Sequence, residues 1–350
     1  MKSVRSVTIA ACFLLASLGA GLGSGDVAAR PKPPPPVELP PPPPMPPPMP
    51  DVGMADRFIH DAAAYEAYMR QAAAISPDFA DAGGVAQSLK LGVAYEPGQF
   101  QRGEVAYAAI AALQDRAFVD AVRKAGATPE GRYTVVGQIF ANPANALVFT
   151  DGPTAAGLAK QALSADGMRV FTNGVAVRKE AYDVQHQPWS HDDVDGRDAR
   201  LANAKLLSTS PRMVIDEDAA ALRGAIAGAA APTGVAQQPA APPYSPLVLR
   251  ATALAALAAI GQAGDDMYDR LSWLSQDYFT QHCLAHAKNE LNECLAVAKP
   301  NYEDIFCLGE PAMMYTGACV VKGAYSTVPV EILTRQIAIP PVRHAARRRR

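Results

Sequence analysis

The chain has 350 residues, with 32 basic against 34 acidic side chains and a formal net charge of −2 at pH 7. That balance excludes the broad basic face of a nucleic-acid-binding domain, and a hydrophobic content of 49 % excludes a wholly disordered chain. The 31 prolines and five cysteines are concentrated in separate parts of the chain, and their positions organise the reading.

Lys2 and Arg5 precede the apolar run VTIAACFLLASLGAGLG (7–23), and DVAAR (26–30) sets small residues at Val27 and Ala29. This is the layout of a secretory signal peptide over residues 1–29, cut after Ala29. A retained run would be a membrane anchor, although its 17 residues sit at the bottom of the spanning range. TIAAC resembles a lipoprotein cleavage box at Cys12, but it lies only seven residues after Arg5 and the apolar run continues beyond it, so lipidation is not expected. Export places the chain in the periplasm or outside the cell, where thiols oxidise.

Residues 30–50 form a proline-rich leader in which 14 of the last 20 residues are proline. Without N–H donors the run enters neither helix nor sheet, and it is expected to be an extended polyproline II segment. With the signal cut it is a leader, and with the signal retained it becomes a spacer.

Residues 51–227 read as a helical domain. MADRFIHDAAAYEAYMRQAAAI carries apolar residues at Phe58, Ala62, Tyr65, Tyr68, Met69 and Ala72, close to the i, i+3, i+4, i+7 pattern, and Ser76-Pro77 closes it. GEVAYAAIAALQDRAFVDAVRKAG repeats the pattern through Val105, Ala108, Ala112 and Val119, with Gly126 as its C-terminal cap. Thr128 and Pro129 start the next helix. PTAAGLAKQALSADG and DEDAAALRGAIAG are further short helices, the second with acids in its first turn. MRVFTNGVAVR (168–178) reads as a β-hairpin turning at Asn173-Gly174, although a helix also fits. Residues 228–246 are a Pro/Ala-rich linker. LVLRATALAALAAIGQ (247–262) is too short and too alanine-rich to span a bilayer, and it is expected to be a buried core helix that opens the C-terminal helical region, 247–330. The basic tail, 331–350, ends in PPVRHAARRRR, with five arginines and no acid. Between residues 30 and 339 there are 25 bases and 33 acids. The fold class is therefore mainly α, an irregular helical bundle.

Of the five cysteines, Cys12 leaves with the signal, and Cys283, Cys294, Cys307 and Cys319 fall within 37 residues. DRLSWLSQDYFTQHCLAHAKNELNECLAVAK (269–299) has the pattern of one amphipathic helix, broken at Lys299-Pro300. Along a continuous helix Cys283 and Cys294 would stand about 16 Å apart at 1.5 Å per residue, beyond the roughly 7 Å a disulfide tolerates. Counted outward from Pro300, Cys294 matches Cys307 and Cys283 matches Cys319, which predicts an α-hairpin over 270–320 stapled by those two bonds. Gly309, Pro311 and Gly317 interrupt the second arm. If the first helix is broken instead, Cys283–Cys294 and Cys307–Cys319 are the alternative.

His282 and His286 share one helix face, but Glu290 is too far from His282 to complete a shared metal site, and oxidised cysteines are not ligands. No metal and no cofactor is expected. Asp193, Asp195 and Gly196 resemble part of a calcium loop, yet the loop would lack its first acid and its last. Ser190 with Asp193 instead reads as a helix N-cap, and Trp189 beside His186 as a packing anchor. Asp265/Asp266 and Glu303/Asp304 read as caps. No serine-nucleophile elbow, zinc-protease motif or phosphate loop is present. The expectation is an exported, non-catalytic cell-envelope protein that binds or scaffolds an envelope component, whether protein or anionic polymer. It would contact no nucleic acid, and it would be anchored in a membrane only if the signal were uncleaved. The basic tail could touch anionic lipid, lipopolysaccharide or cell-wall polymer, although such a run is more often a solvated end. The alternative is a secreted hydrolase of an envelope polymer, whose two acids need not be close in sequence.

Overall fold

The computed structural model describes residues 49–228 and 238–327. The signal peptide, nearly all of the leader, the centre of the linker and the basic tail lie outside them. Thirteen α-helices follow along the described residues: α1 Asp56–Ala73, α2 Ala82–Val93, α3 Pro97–Ala112, α4 Arg116–Ala125, α5 Pro129–Ala141, α6 Gly152–Asp183, α7 Arg197–Thr209, α8 Asp216–Ile226, α9 Pro246–Ala259, α10 Tyr268–Leu271, α11 Tyr278–Val297, α12 Asn301–Cys307 and α13 Tyr315–Gly323. No β-strand occurs among the described residues.

Side chains set many of the boundaries. Asp81 accepts from Gly84 N at the start of α2, Ser245 from Val248 N at the start of α9, and Thr128 from Gly131 N at the start of α5, where Pro129 takes the first helical position. Glu96 opens α3 by accepting from the amides of Gly98 and Gln99. Helix α3 is the axis of the bundle. Nearly every side chain from Phe100 to Leu113 is fully buried, and α1, α6 and α9 pack around it. The aromatic rings of Tyr65, Tyr68, Tyr95, Phe100 and Tyr107 stack where α1 meets α3. Helix α9 lies almost wholly inside, as its composition predicts. One hydrophobic core continues from Met54 to Ala324.

Four local expectations are corrected. The helix expected through Ala112 and Val119 is two helices, because the Asp115 carboxylate accepts from Phe118 N and starts α4 afresh; Gly126 does cap it. The hairpin expected at 168–178 is the middle of the 32-residue α6. Asn173 there donates to the backbone oxygens of Ala72, Ala73 and Ile75, closing the C-terminal end of α1. Gly174 is small because a Cβ would stand 2.7 Å from Gly309 O. The pair Asn-Gly serves helix contacts here rather than a turn. Ser190 caps no helix; its hydroxyl donates to Gln187 O, and α7 starts after Gly196. Finally, the helix expected from 269 begins only at Tyr278. Ser272 and Ser275 turn their hydroxyls back onto the carbonyls of Asp269 and Ser272, and Gln276 is extended.

Beyond Pro300 the chain returns helically through α12, a π-helical segment at Leu308–Met314 that accommodates Pro311, and α13. The glycines of this arm are contact points. At Gly317 an added Cβ would lie 2.6 Å from both Gly167 O and Phe171 N, so α13 and α6 meet backbone to backbone. Disulfides join Cys283 to Cys319 and Cys294 to Cys307, each with Cα atoms 5.7 Å apart. The stapled hairpin read from the spacing about Pro300 is the one formed.

Candidate functional site

On α1, residues Glu66, Met69, Arg70 and Ala73 fall on one face at helical spacing, and on α6 Asp166 and Arg169 are one turn apart. The two faces meet in a pocket of about 180 Å³ that Ala74 completes. Arg70 donates to Glu66 Oε2 at 2.8 Å and, from its other terminal nitrogen, to Asp218 Oδ1 of α8 at 2.9 Å. Arg169 is ion-paired with Asp166. Met69, Ala73 and Ala74 supply the apolar part of its lining.

Exposure separates these charges. Both guanidinium side chains are 49 % exposed, whereas Glu66 is 13 % and Asp166 only 2 % exposed. Burial pushes the Asp166 carboxyl up to about 7; Arg169 opposes the rise and Glu66 adds to it. Burial also raises Glu66, with Arg70 pulling it back. The fully buried Tyr65 lies close enough for the Asp166 and Glu104 charges to raise its own ionisation further. The result is a mouth of positive charge in front of two carboxyls that are hard to ionise.

Two other charged groups are fully internal. Glu104, in the buried middle of α3, has no hydrogen-bond partner for either oxygen among the described residues, and burial holds its carboxyl well above the usual range. Lys288 of α11 donates to Val93 O at 2.6 Å and sits 3.4 Å above the Tyr95 ring, with burial pulling its ammonium down.

The structure separates the residues that the sequence brought forward. His286 Nε2 is 3.7 Å from Glu290 Oε1 on the exposed face of α11. Asp193 pairs by backbone with Pro300, while Asp195 lines a groove with Lys90 and Arg200 between α2 and α7. Trp189 packs against the core, and its carbonyl accepts from Asn301. Asp265 accepts from the amide of Asp56, at the start of α1 rather than of its own helix. Glu303 accepts from Lys299 N, and Asp304 is ion-paired with Arg200. Sequence reasoning missed the α1–α6 pocket. Its only local signals were the Glu66–Arg70 and Asp166–Arg169 spacings, which also occur on ordinary solvated helices.

The chain matches no protein-family model, and neither a curated protein nor a solved structure is similar to it.

Proposed function

We propose that the protein is an exported, non-catalytic cell-envelope protein that works by binding, and that the α1–α6 pocket takes an anionic group of an envelope component. The observation that carries this reading is the order of charges in the pocket. The groups a ligand meets first are the half-exposed Arg70 and Arg169, which suit carboxylate or phosphate. The acids behind them are less exposed, Glu66 at 13 % and Asp166 at 2 %, and each is paired with one of those arginines. Two disulfides suit an oxidising compartment, and among the described residues no helix is long and apolar enough to cross a membrane.

A second reading, hydrolysis of an envelope polymer, is favoured by one observation. Asp166 is raised to about 7 beside a second raised acid, Glu66, as a general acid would be. One experiment separates them. The mature chain is incubated with purified envelope fractions, and co-sedimentation and release of soluble fragments are measured together. The binding reading expects co-sedimentation that weakens roughly tenfold in Arg169→Gln, the loss of one charge-assisted contact, with no fragment release. Fragment release that disappears in Asp166→Asn would replace it with hydrolysis.

A further inference from the structure

The larger groove between α11 and α13 has a different chemistry. Its walls are two facing stripes, Cys283, His286 and Glu290 from α11 against Tyr315, Cys319 and Lys322 from α13, around about 340 Å³. The Cys283–Cys319 disulfide is therefore part of a groove wall, with Cys283 half-buried and Cys319 behind it. His286 and Glu290 lie 64 % and 40 % exposed on the same helix face as Cys283, and Lys322 stands one turn beyond Cys319. Tyr315 turns away, donating to Glu310 Oε1.

The second bridge sits under a clamp. Cys307 is fully buried and Cys294 half-buried, as Cys319 and Cys283 are, so the bridges differ in their surroundings: the segment before α7 is bonded across the hairpin tip. Val194 N donates to Lys299 O at 2.8 Å, Asn301 N to Asp192 O at 3.1 Å and Arg197 Nε to Ala298 O at 2.8 Å. Arg200 is paired with Asp304 on α12. Opening the tip would break all of these.

We infer that Cys283–Cys319 is a thiol–disulfide exchange site, open to a dithiol reductant through the α11–α13 groove, and that Cys294–Cys307 is the permanent staple. The dithiol's thiolate attacks Cys283 Sγ, forming a mixed disulfide and breaking the bond to Cys319, which leaves as a thiolate. The Lys322 ammonium stabilises that anion. His286, 3.7 Å from Glu290, relays from solvent the proton that makes it a thiol. The dithiol's second sulfur, deprotonated, then attacks the mixed disulfide, so the dithiol becomes a disulfide and Cys283 is released and protonated. Two electrons and two protons pass from the dithiol to the bridge. The site is independent of the binding pocket on α1 and α6.

The test uses the folded mature chain in graded dithiothreitol, with timed alkylation, peptide mapping and circular dichroism on the same samples. Cys283 and Cys319 are expected to be alkylated roughly tenfold faster than Cys294 and Cys307, with the helical signal retained. Lys322→Gln and His286→Gln, both helical, are expected to slow the exchange and shift its pH profile. Equal rates at the two bridges, reduction only together with loss of helical signal, or a pH profile indifferent to both substitutions would overturn the inference.

Discussion

Replacing Asp166 by asparagine should make the protein more stable above neutral pH and change little in acid. The carboxyl's value rises from 3.8 in the unfolded chain to about 7 in the folded one. A raised acid favours folding while it stays protonated. That contribution is complete below 3.8 and is lost as pH climbs through 7, because the unfolded chain releases the proton first. About three units at 1.36 kcal/mol each give a loss of about 4 kcal/mol across this window. Asparagine keeps the size of the side chain and has no proton to lose, and Arg169, at 49 % exposure, is left with water as a partner.

The assay is urea denaturation of both proteins at several pH values from 4 to 8, followed by circular dichroism. Subtracting one stability curve from the other cancels the other titrating groups, among them Glu104 and Lys288. The difference should be near zero at pH 4 and should climb in favour of the variant by about 1.4 kcal/mol per pH unit until pH 7, then level off. A flat difference would mean that Arg169 holds Asp166 ionised throughout, and the reasoning about the pocket's charges would fail with it.

Removing either disulfide should lower stability, by about 4 kcal/mol for Cys283→Ser/Cys319→Ser and about 3 kcal/mol for Cys294→Ser/Cys307→Ser, from loops of 36 and 13 residues in the chain-entropy treatment; equal losses, or the reverse order, would contradict it. Gly317→Ala should cost several kcal/mol in the same urea assay, because its Cβ would lie 2.6 Å from backbone atoms of α6 that cannot swing aside; an unchanged midpoint would refute the contact. The exported protein should begin near Arg30, and N-terminal sequencing that finds Met1 intact would replace cleavage with an anchor and spacer.

The hairpin was legible because its geometry is one-dimensional. Two arms folded about Pro300 bring together residues about equally far from it, and the separations of 6 and 7 and of 17 and 19 residues select Cys294 with Cys307 and Cys283 with Cys319 wherever both arms are helical. The second arm remained helical despite Gly309, Pro311 and Gly317, since a π-helical segment accommodates the proline and the glycines meet α6. The same tertiary cause defeated the hairpin reading of 168–178. Asn173 and Gly174 look like a turn to any rule of local propensity, but one closes α1 and the other lets the return arm approach. Where contacts between distant segments decide, local pattern alone misleads.

The pocket was illegible for a related reason. Glu66 and Asp166 stand 100 positions apart, and each carries an arginine one turn away, so along the sequence both are ordinary surface ion pairs worth little to stability. Packing α6 across α1 changes their chemistry. It buries the carboxyls but leaves the guanidiniums half in water. A carboxyl that loses water without losing its arginine becomes harder to ionise, and Arg169 is then bound less tightly by Asp166 and more available to an outside anion, while Arg70 is held by Asp218 as well. The same burial that raises Asp166 to about 7 leaves only 2 % of its side chain exposed, at the back of the pocket. Protonation of Asp166 should therefore tighten anion binding at the pocket mouth as pH falls below 7, the same window in which it stabilises the fold.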